Sequence, residues 1–254
     1  MVKITTEQPV ENIELFVNNV QALQSTQSGT CQTASISSNF GRFNLGLHVG
    51  DDESTVLANR HYLQRFLPKG CEVQWLEQVH GNDVLNIENV IFPYPSADAI
   101  ITRTPNIALA IMTADCLPIL LSNKNGDEVA ALHCGWRSIV SNIIGATLNK
   151  MICKPEEVIA WLGPCISQQY FEVGEDVRQA FIKLHPQLTL FFAKNKVAKY
   201  QANLSGIAKY LLELSGVTIV IDSQQCTYAN QDKYYSYRRN NITGRMASVI
   251  CIKS

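Results

Sequence analysis

Short apolar runs cut by turn residues dominate the chain. Runs rich in Val, Ile and Leu fall at 72–79, 83–88, 98–102, 107–112, 117–122, 128–133, 157–162, 196–201, 217–221 and 246–252. Their length and their bounding turns, such as Asn125-Gly126, predict strands. Several are unbroken by polar residues, as in strands covered on both faces. Helical spacing occurs in three places. Val56, Leu57, Leu63 and Phe66 follow Asp51-Asp52, a source of an N-cap. Ile139, Val140, Ile143, Ile144, Leu148 and Met151 form one stripe. Leu204, Ile207, Ala208, Leu211 and Leu212 follow Asn203 and run towards Gly216, a helix stop. Residues 18–39 are polar and predict a loop or an exposed strand. Strands and helices interleave irregularly, which predicts an α/β fold: a mixed-sheet layered sandwich with outer helices.

No repeat, low-complexity stretch or flexible linker divides the sequence, so one domain over 1–254 is expected, with residues 1–34 peripheral. Apolar residues make up 46% of the 254, ample for a buried core. With 21 basic and 22 acidic residues there is no field to hold nucleic acid or an anionic membrane surface. No apolar run approaches a membrane span, and the first residues carry no apolar signal region. These features lead to the expectation of a cytoplasmic protein, monomeric or weakly homo-oligomeric. Most of its eight Cys are then small buried hydrophobes.

Chemistry concentrates in three segments, Gln78-Val79-His80-Gly81, Thr113-Ala114-Asp115-Cys116 and His133-Cys134-Gly135-Trp136-Arg137. Each places a His or Cys at the end of an apolar run, where a turn aims side chains into a cleft. Two imidazoles and a thiolate make a three-ligand set for zinc, with a fourth position open as in catalytic sites. The spacing matches no zinc finger, and there is no CxxC pair. Asp115 is placed to orient a ligand or carry a proton. Arg137 sits where a helix begins and is suited to an anion. Taken singly, each segment reads equally well as a turn histidine, a buried thiol and a surface charge.

The segments gain specificity as a set. Asn44-Leu45-Gly46-Leu47-His48-Val49-Gly50-Asp51-Asp52, Asn59-Arg60, Gln78-Val79-His80-Gly81, Ala97-Asp98-Ala99, Thr113-Ala114-Asp115-Cys116-Leu117-Pro118, His133-Cys134-Gly135-Trp136-Arg137, Gly163-Pro164 and Tyr237-Arg238-Arg239 follow in order. Together they resemble the laccase-like, YfiH-type multicopper polyphenol oxidase family. Its members have been reassigned as purine nucleoside phosphorylases with adenosine deaminase activity. The match runs from about residue 35 to the C-terminus. The resemblance implies one zinc on His80, Cys116 and His133, and a fold related to cysteine-hydrolase-like toxins. It implies phosphorolysis of adenosine, inosine, guanosine and methylthioadenosine, and deamination of adenosine. The substrates would then be purine nucleosides and phosphate. Catalytic candidates are Cys116, Asp115 and Arg137, and substrate-binding candidates are Arg42, Asn44, Arg238 and Arg239. Many members carry Thr-Arg-x-Gly-Gly-Val-Ser before the Asn-Leu-Gly segment. Here residues 33–42 replace it, so phosphate use rests on Arg42 taking the place of the missing arginine.

Three other readings use the same residues. A copper oxidase is one, since a His₂Cys set also suits copper. The chain has only five His (48, 61, 80, 133 and 185), too few for a four-copper centre. A non-catalytic zinc module is another, and would want a closed four-ligand site. Hydrolase chemistry with Cys116 as nucleophile is the third.

Overall fold

The computed structural model describes residues 9–15, 17–28, 39–195 and 197–254. Its strands are β1 (Val10–Ile13), β2 (Val20–Ser25), β3 (Glu72–Gln74), β4 (Val84–Ile87), β5 (Ala99–Thr102), β6 (Ile107–Thr113), β7 (Leu117–Asn123), β8 (Val129–Cys134), β9 (Val158–Leu162), β10 (Glu172–Val173), β11 (Phe192–Lys194), β12 (Tyr200–Ala202), β13 (Ile219–Asp222) and β14 (Met246–Ile252). The helices are α1 (Glu53–Gln64), α2 (Trp136–Val140), α3 (Ile143–Lys150), α4 (Glu175–Leu184) and α5 (Leu204–Leu214). None is long and apolar enough to cross a membrane.

Two sheets form the body. One has the order β1-β2-β14-β6-β3, the other β13-β9-β7-β8-β5-β4, and β10-β12-β11 form a third, small sheet. Both large sheets are mixed: β3 and β6, β4 and β5, and β9 and β13 pair in parallel, while their other pairings are antiparallel. Ala22, Leu109, Ile111 and Ile250 of the first sheet pack on Ile100, Leu120, Ala131 and Trp161 of the second. Leu63 of α1 covers the outer face of the first sheet with Ala108, Ala110 and Val249. Ile144 and Leu148 of α3 and Ile207 of α5 cover the outer face of the second, against Ile101, Ile119 and Leu132. The result is the expected layered α/β sandwich with outer helices. β6, β7, β8, β9 and β14 are buried along their whole length, in keeping with their largely apolar sequences.

The caps behave as read: Asp52 accepts the Thr55 N–H at 2.8 Å, Asn203 accepts that of Gly206, and Gly216 takes a positive φ after α5. The apolar stripe over 139–151 is not one helix. It breaks at Ser141–Asn142, where Asn142 adopts a left-handed φ of 67°, a conformation Asn tolerates. The expectation that residues 1–34 are peripheral fails for β2, which lies between β1 and β14 and buries Ala22 and Leu23. Its polar residues are satisfied across the ladder: Ser248 Oγ donates to Gln24 Oε1, and Ala247 N–H to Ser25 Oγ. Residues 29–38, which hold most of the segment replacing the glycine-rich motif, lie outside the described residues.

Candidate metal centre and its cleft

Register brings the first two candidate ligands, Cys116 and His133, together. β7 and β8 pair with Leu117 opposite Cys134 and Pro118 opposite His133. Cys116, one residue before β7, therefore lies beside the end of β8. Asp115 precedes it at a φ of 99°, strained for a residue with a side chain, so the chain turns abruptly just before the thiol. Gly135 leaves the space this needs. A Cβ there would stand 3.2 Å from His80 Cδ2 and 3.3 Å from Cys116 Sγ.

His80 arrives differently from the expectation. β3 stops at Gln74, so His80 ends an irregular extended segment rather than a strand. The Gln78 side chain holds that segment by copying a strand: its Nε2 donates to Met112 O and its Oε1 accepts from Met112 N, both at 2.8 Å. His80 then takes a φ of 60° and points back to the other two residues. The ligand atoms of His80, Cys116 and His133 all lie within 4.8 Å of one another. The two imidazoles meet edge to face at 4.7 Å.

Asp98, at the start of β5 and fully buried, organises both histidines. Its Oδ1 accepts from His80 N at 3.0 Å and contacts His133 Nδ1 at 2.7 Å. Its Oδ2 accepts from Val79 N and Gly81 N at 3.2 and 2.6 Å. One carboxylate thus ties down the His80 turn and occupies His133 Nδ1, leaving Nε2 as the free ligand atom. Burial would raise the Asp98 carboxyl, but His133 and the N–H groups of Gly81 and His80 outweigh it and hold it below its ordinary value. Burial would likewise raise the Cys116 thiol, yet the charge and hydrogen bonds of His133 and His80 bring it down to about 6. Burial would lower His133, and Cys116 and Asp98 instead take it up to about 9. Without a metal the cluster therefore pairs a Cys116 thiolate with a protonated His133, which gives up its proton when Nε2 takes a metal. Its donor set suits zinc or copper.

The cluster opens into a cleft of about 700 Å³. Trp136, Phe171 and Tyr237 line it, with the cations of Arg137, Arg238 and Arg245. Residues 22–253 match the family described as multi-copper polyphenol oxidoreductase laccase. The chain belongs to this family. Family relatives include the purine nucleoside phosphorylase YfiH of Escherichia coli (strain K12), 39% identical over 83% of this chain and 86% of that protein. The purine nucleoside phosphorylase of Haemophilus influenzae is 38% identical over 91% of this chain and 94% of its own. Among solved structures, Neisseria meningitidis protein NMB0706 superimposes with a TM-score of 0.92 at 35% identity, covering 97% of this chain and all of that one. YlmD from Geobacillus stearothermophilus gives 0.85 at 25% identity, covering 93% of each chain.

In this laccase-family chain the predicted residues separate into two groups. His80, Cys116, His133, Asp115, Arg137 and Arg238 line the cleft. Arg42, Asn44 and Arg239 do not. Arg42 is exposed on the segment entering the fold. Asn44 is buried, with its side chain bonded to Gly46, Asp51 and the Arg245 N–H. Arg239 spends its guanidinium on the carbonyls of Thr227, Tyr228 and Tyr234. Asp115 lines the cleft, but its carboxylate is committed to Thr227 Oγ1, Ser236 Oγ and Arg238 N at 2.6–3.0 Å. Cys134 points away from the ligands into the apolar layer under α3, as strand alternation predicts. Cys165 is buried beneath the cleft rather than lining it. Trp75 and Trp161 are core residues, whereas half-buried Trp136 faces the cleft.

Proposed function

We propose that the chain is a metal-dependent purine nucleoside enzyme. It carries out phosphorolysis of adenosine, inosine, guanosine and methylthioadenosine, and deaminates adenosine. The observation that carries this reading is the placement of a His₂Cys cluster at the wall of a cleft that also presents aromatic rings and three guanidinium groups. Relatives named purine nucleoside phosphorylase support it. The cleft volume lies in the range typical of small-ligand sites.

His80, Cys116 and His133 are the residues to hold zinc, and the set fits it: one soft thiolate, two imidazoles, and a carboxylate fixing one ring. When bound, the ion supplies Lewis acidity at neutral pH. The protein's own groups do the rest. Trp136 and Phe171 offer faces on which a purine stacks. The arginines balance the negative charge of phosphate and of the departing base. Asp115, with both oxygens occupied by donors, positions Cys116 by anchoring the 227–238 loop to it, rather than carrying protons. The cluster is compatible with copper, but a laccase-type multicopper centre is not supported. Among the five His, only His80 and His133 join the cluster.

Product analysis tests the reading. Purified protein of known metal content is incubated with adenosine, with and without phosphate, beside His80→Ala. The expected products are adenine and ribose 1-phosphate when phosphate is present, and inosine in either case, all lost in the variant. Absence of every product from metal-replete wild type overturns the reading.

A further inference from the structure

We infer that Arg245 is the residue that receives inorganic phosphate in the cleft. This deepens the nucleoside reading and rests on it. Of the three guanidinium groups in the cleft, Arg245 alone is built in from behind. The backbone of Asn44-Leu45-Gly46 forms its cradle: Leu45 N donates to Arg245 O at 3.1 Å, and Arg245 N donates to Asn44 Oδ1 at 2.8 Å. Gly46 makes room for the side chain, since a Cβ there would lie 2.8 Å from Arg245 Cγ. Nη1 is pinned to the carbonyls of Thr243 and Gly244 at 3.0 and 3.1 Å. Among the described residues, Nε and Nη2 find no protein acceptor, and no ion pair involves Arg245.

The other two cations are held more loosely. Arg137 is exposed and lies over its neighbour Trp136 at 4.4 Å. Arg238 is exposed and lends Nη1 to the carbonyls of Tyr170 and Glu172. Of the two carboxylates lining the cleft, Asp115 is saturated by its own three donors and Glu77 accepts from Ser96 Oγ, and neither forms an ion pair with Arg245. A half-buried guanidinium with a fixed orientation, two free donors and no carboxylate partner is suited to a tetrahedral oxyanion, which it contacts through a planar fork. Burial pulls the Arg245 pKa down, while the charges of nearby Cys116, Tyr237 and Asp115 oppose that. Arg245 lines the same cleft as His80, Cys116 and His133. The Asn44-Leu45-Gly46 motif, buried and away from the cleft, is explained by the same contacts: it holds the arginine. The oxyanion has two possible sources, free phosphate and the 5′-phosphate of a nucleotide, and free phosphate is the one assigned here.

The experiment compares wild type, Arg245→Gln, Arg245→Lys and Arg42→Gln, all metal-replete and checked for native circular dichroism. Half-saturating phosphate is measured in inosine phosphorolysis. Inorganic phosphate and inosine 5′-monophosphate are titrated separately by thermal shift. Loss of a charge-assisted contact weakens phosphate about 10- to 100-fold in Arg245→Gln. Arg245→Lys, which keeps charge but not the fork, falls between the two. Arg42→Gln, outside the cleft, stays at the wild-type value. Phosphorolysis with unchanged half-saturation in Arg245→Gln overturns this assignment and leaves the nucleoside reading standing. No phosphorolysis, with phosphate still binding and lost in Arg245→Gln, upholds the site and overturns the reading. Absence of phosphate binding to wild type overturns both. If Arg245→Gln weakens the nucleotide but not free phosphate, the free-phosphate assignment is overturned. Should Arg245→Gln not fold, Arg245→Lys alone decides, and an unchanged phosphate response in it refutes the assignment.

Discussion

Replacing Asp98 by Asn tests how the cluster is held. Each Asp98 oxygen serves two donors, Oδ1 the His80 N–H and His133 Nδ1, Oδ2 the N–H groups of Val79 and Gly81. Asparagine keeps one acceptor and sets an NH₂ group against the other pair. Whichever way the amide turns, two donors at a buried position lose their acceptor. At ~1–3 kcal/mol for each such group, and with some relaxation of the exposed His80 turn, the metal-free protein should lose about 2–4 kcal/mol. The ring of His133 also loses the partner that fixes its free nitrogen, and metal affinity should fall about 10- to 100-fold. Urea unfolding of metal-free protein reads the first effect, and competition with a chromophoric zinc chelator reads the second. A variant that loses stability yet binds zinc within about twofold of wild type would refute the claim that Asp98 orients the ligands, leaving it a brace for the loop.

Other consequences are equally open to measurement. Gly135→Ala brings a methyl group to 3.2 Å from His80 Cδ2 and 3.3 Å from Cys116 Sγ. It should weaken zinc binding by chelator competition while the far-ultraviolet spectrum stays native. Glu128 is buried, and it accepts from the N–H groups of Ile152 and Cys153 and from Arg103. Burial would raise its pKa, but these donors hold it below its ordinary value, so its contribution is full at neutral pH and is lost as pH falls through the folded value. Glu128→Gln should cost about 1–3 kcal/mol at pH 7 in urea unfolding, with the gap to wild type narrowing as acid protonates Glu128 in the folded protein. Cys134→Ser puts a hydroxyl into the apolar layer under α3 and should cost ~1–3 kcal/mol with no change in bound metal, read by unfolding and elemental analysis.

Cys116 and His133 of the cluster were legible because each lies at the end of an apolar run that the fold uses as a strand, whereas His80 ends an irregular segment. β7 and β8 are complete strands, and their register delivers Cys116 and His133 together. Asp98 was less visible. It sits inside a run read as strand, and only the tertiary structure shows its carboxylate meeting a turn 17 residues upstream at Gly81. The lone charge in Ala97-Asp98-Ala99, next to Ile100 and Ile101, was the available signal, since a buried carboxylate needs partners. Arg245 lies before an obvious strand, and nothing local shows that Gly46 is small for its sake. β2 falls in a segment read as a loop or an exposed strand; its burial stayed hidden because its Gln and Ser read as exposed, although cross-strand hydrogen bonds satisfy them in the core. α4 carries only Val177 and Phe181 as fully buried residues, a pattern too sparse to stand out. Asn44 and Arg239 show the converse: polar residues in matching motifs whose side chains bond within the fold rather than line the cleft.

The central claim is that His80, Cys116 and His133 hold a metal on which nucleoside turnover depends. Zinc titrated into metal-stripped protein, with inosine phosphorolysis followed at each step, tests it most directly. The account predicts turnover that rises from baseline and saturates at one ion per chain in wild type, and none at any zinc level in Cys116→Ala. Full turnover in stripped protein, or a Cys116→Ala variant that responds to zinc as wild type does, would contradict it.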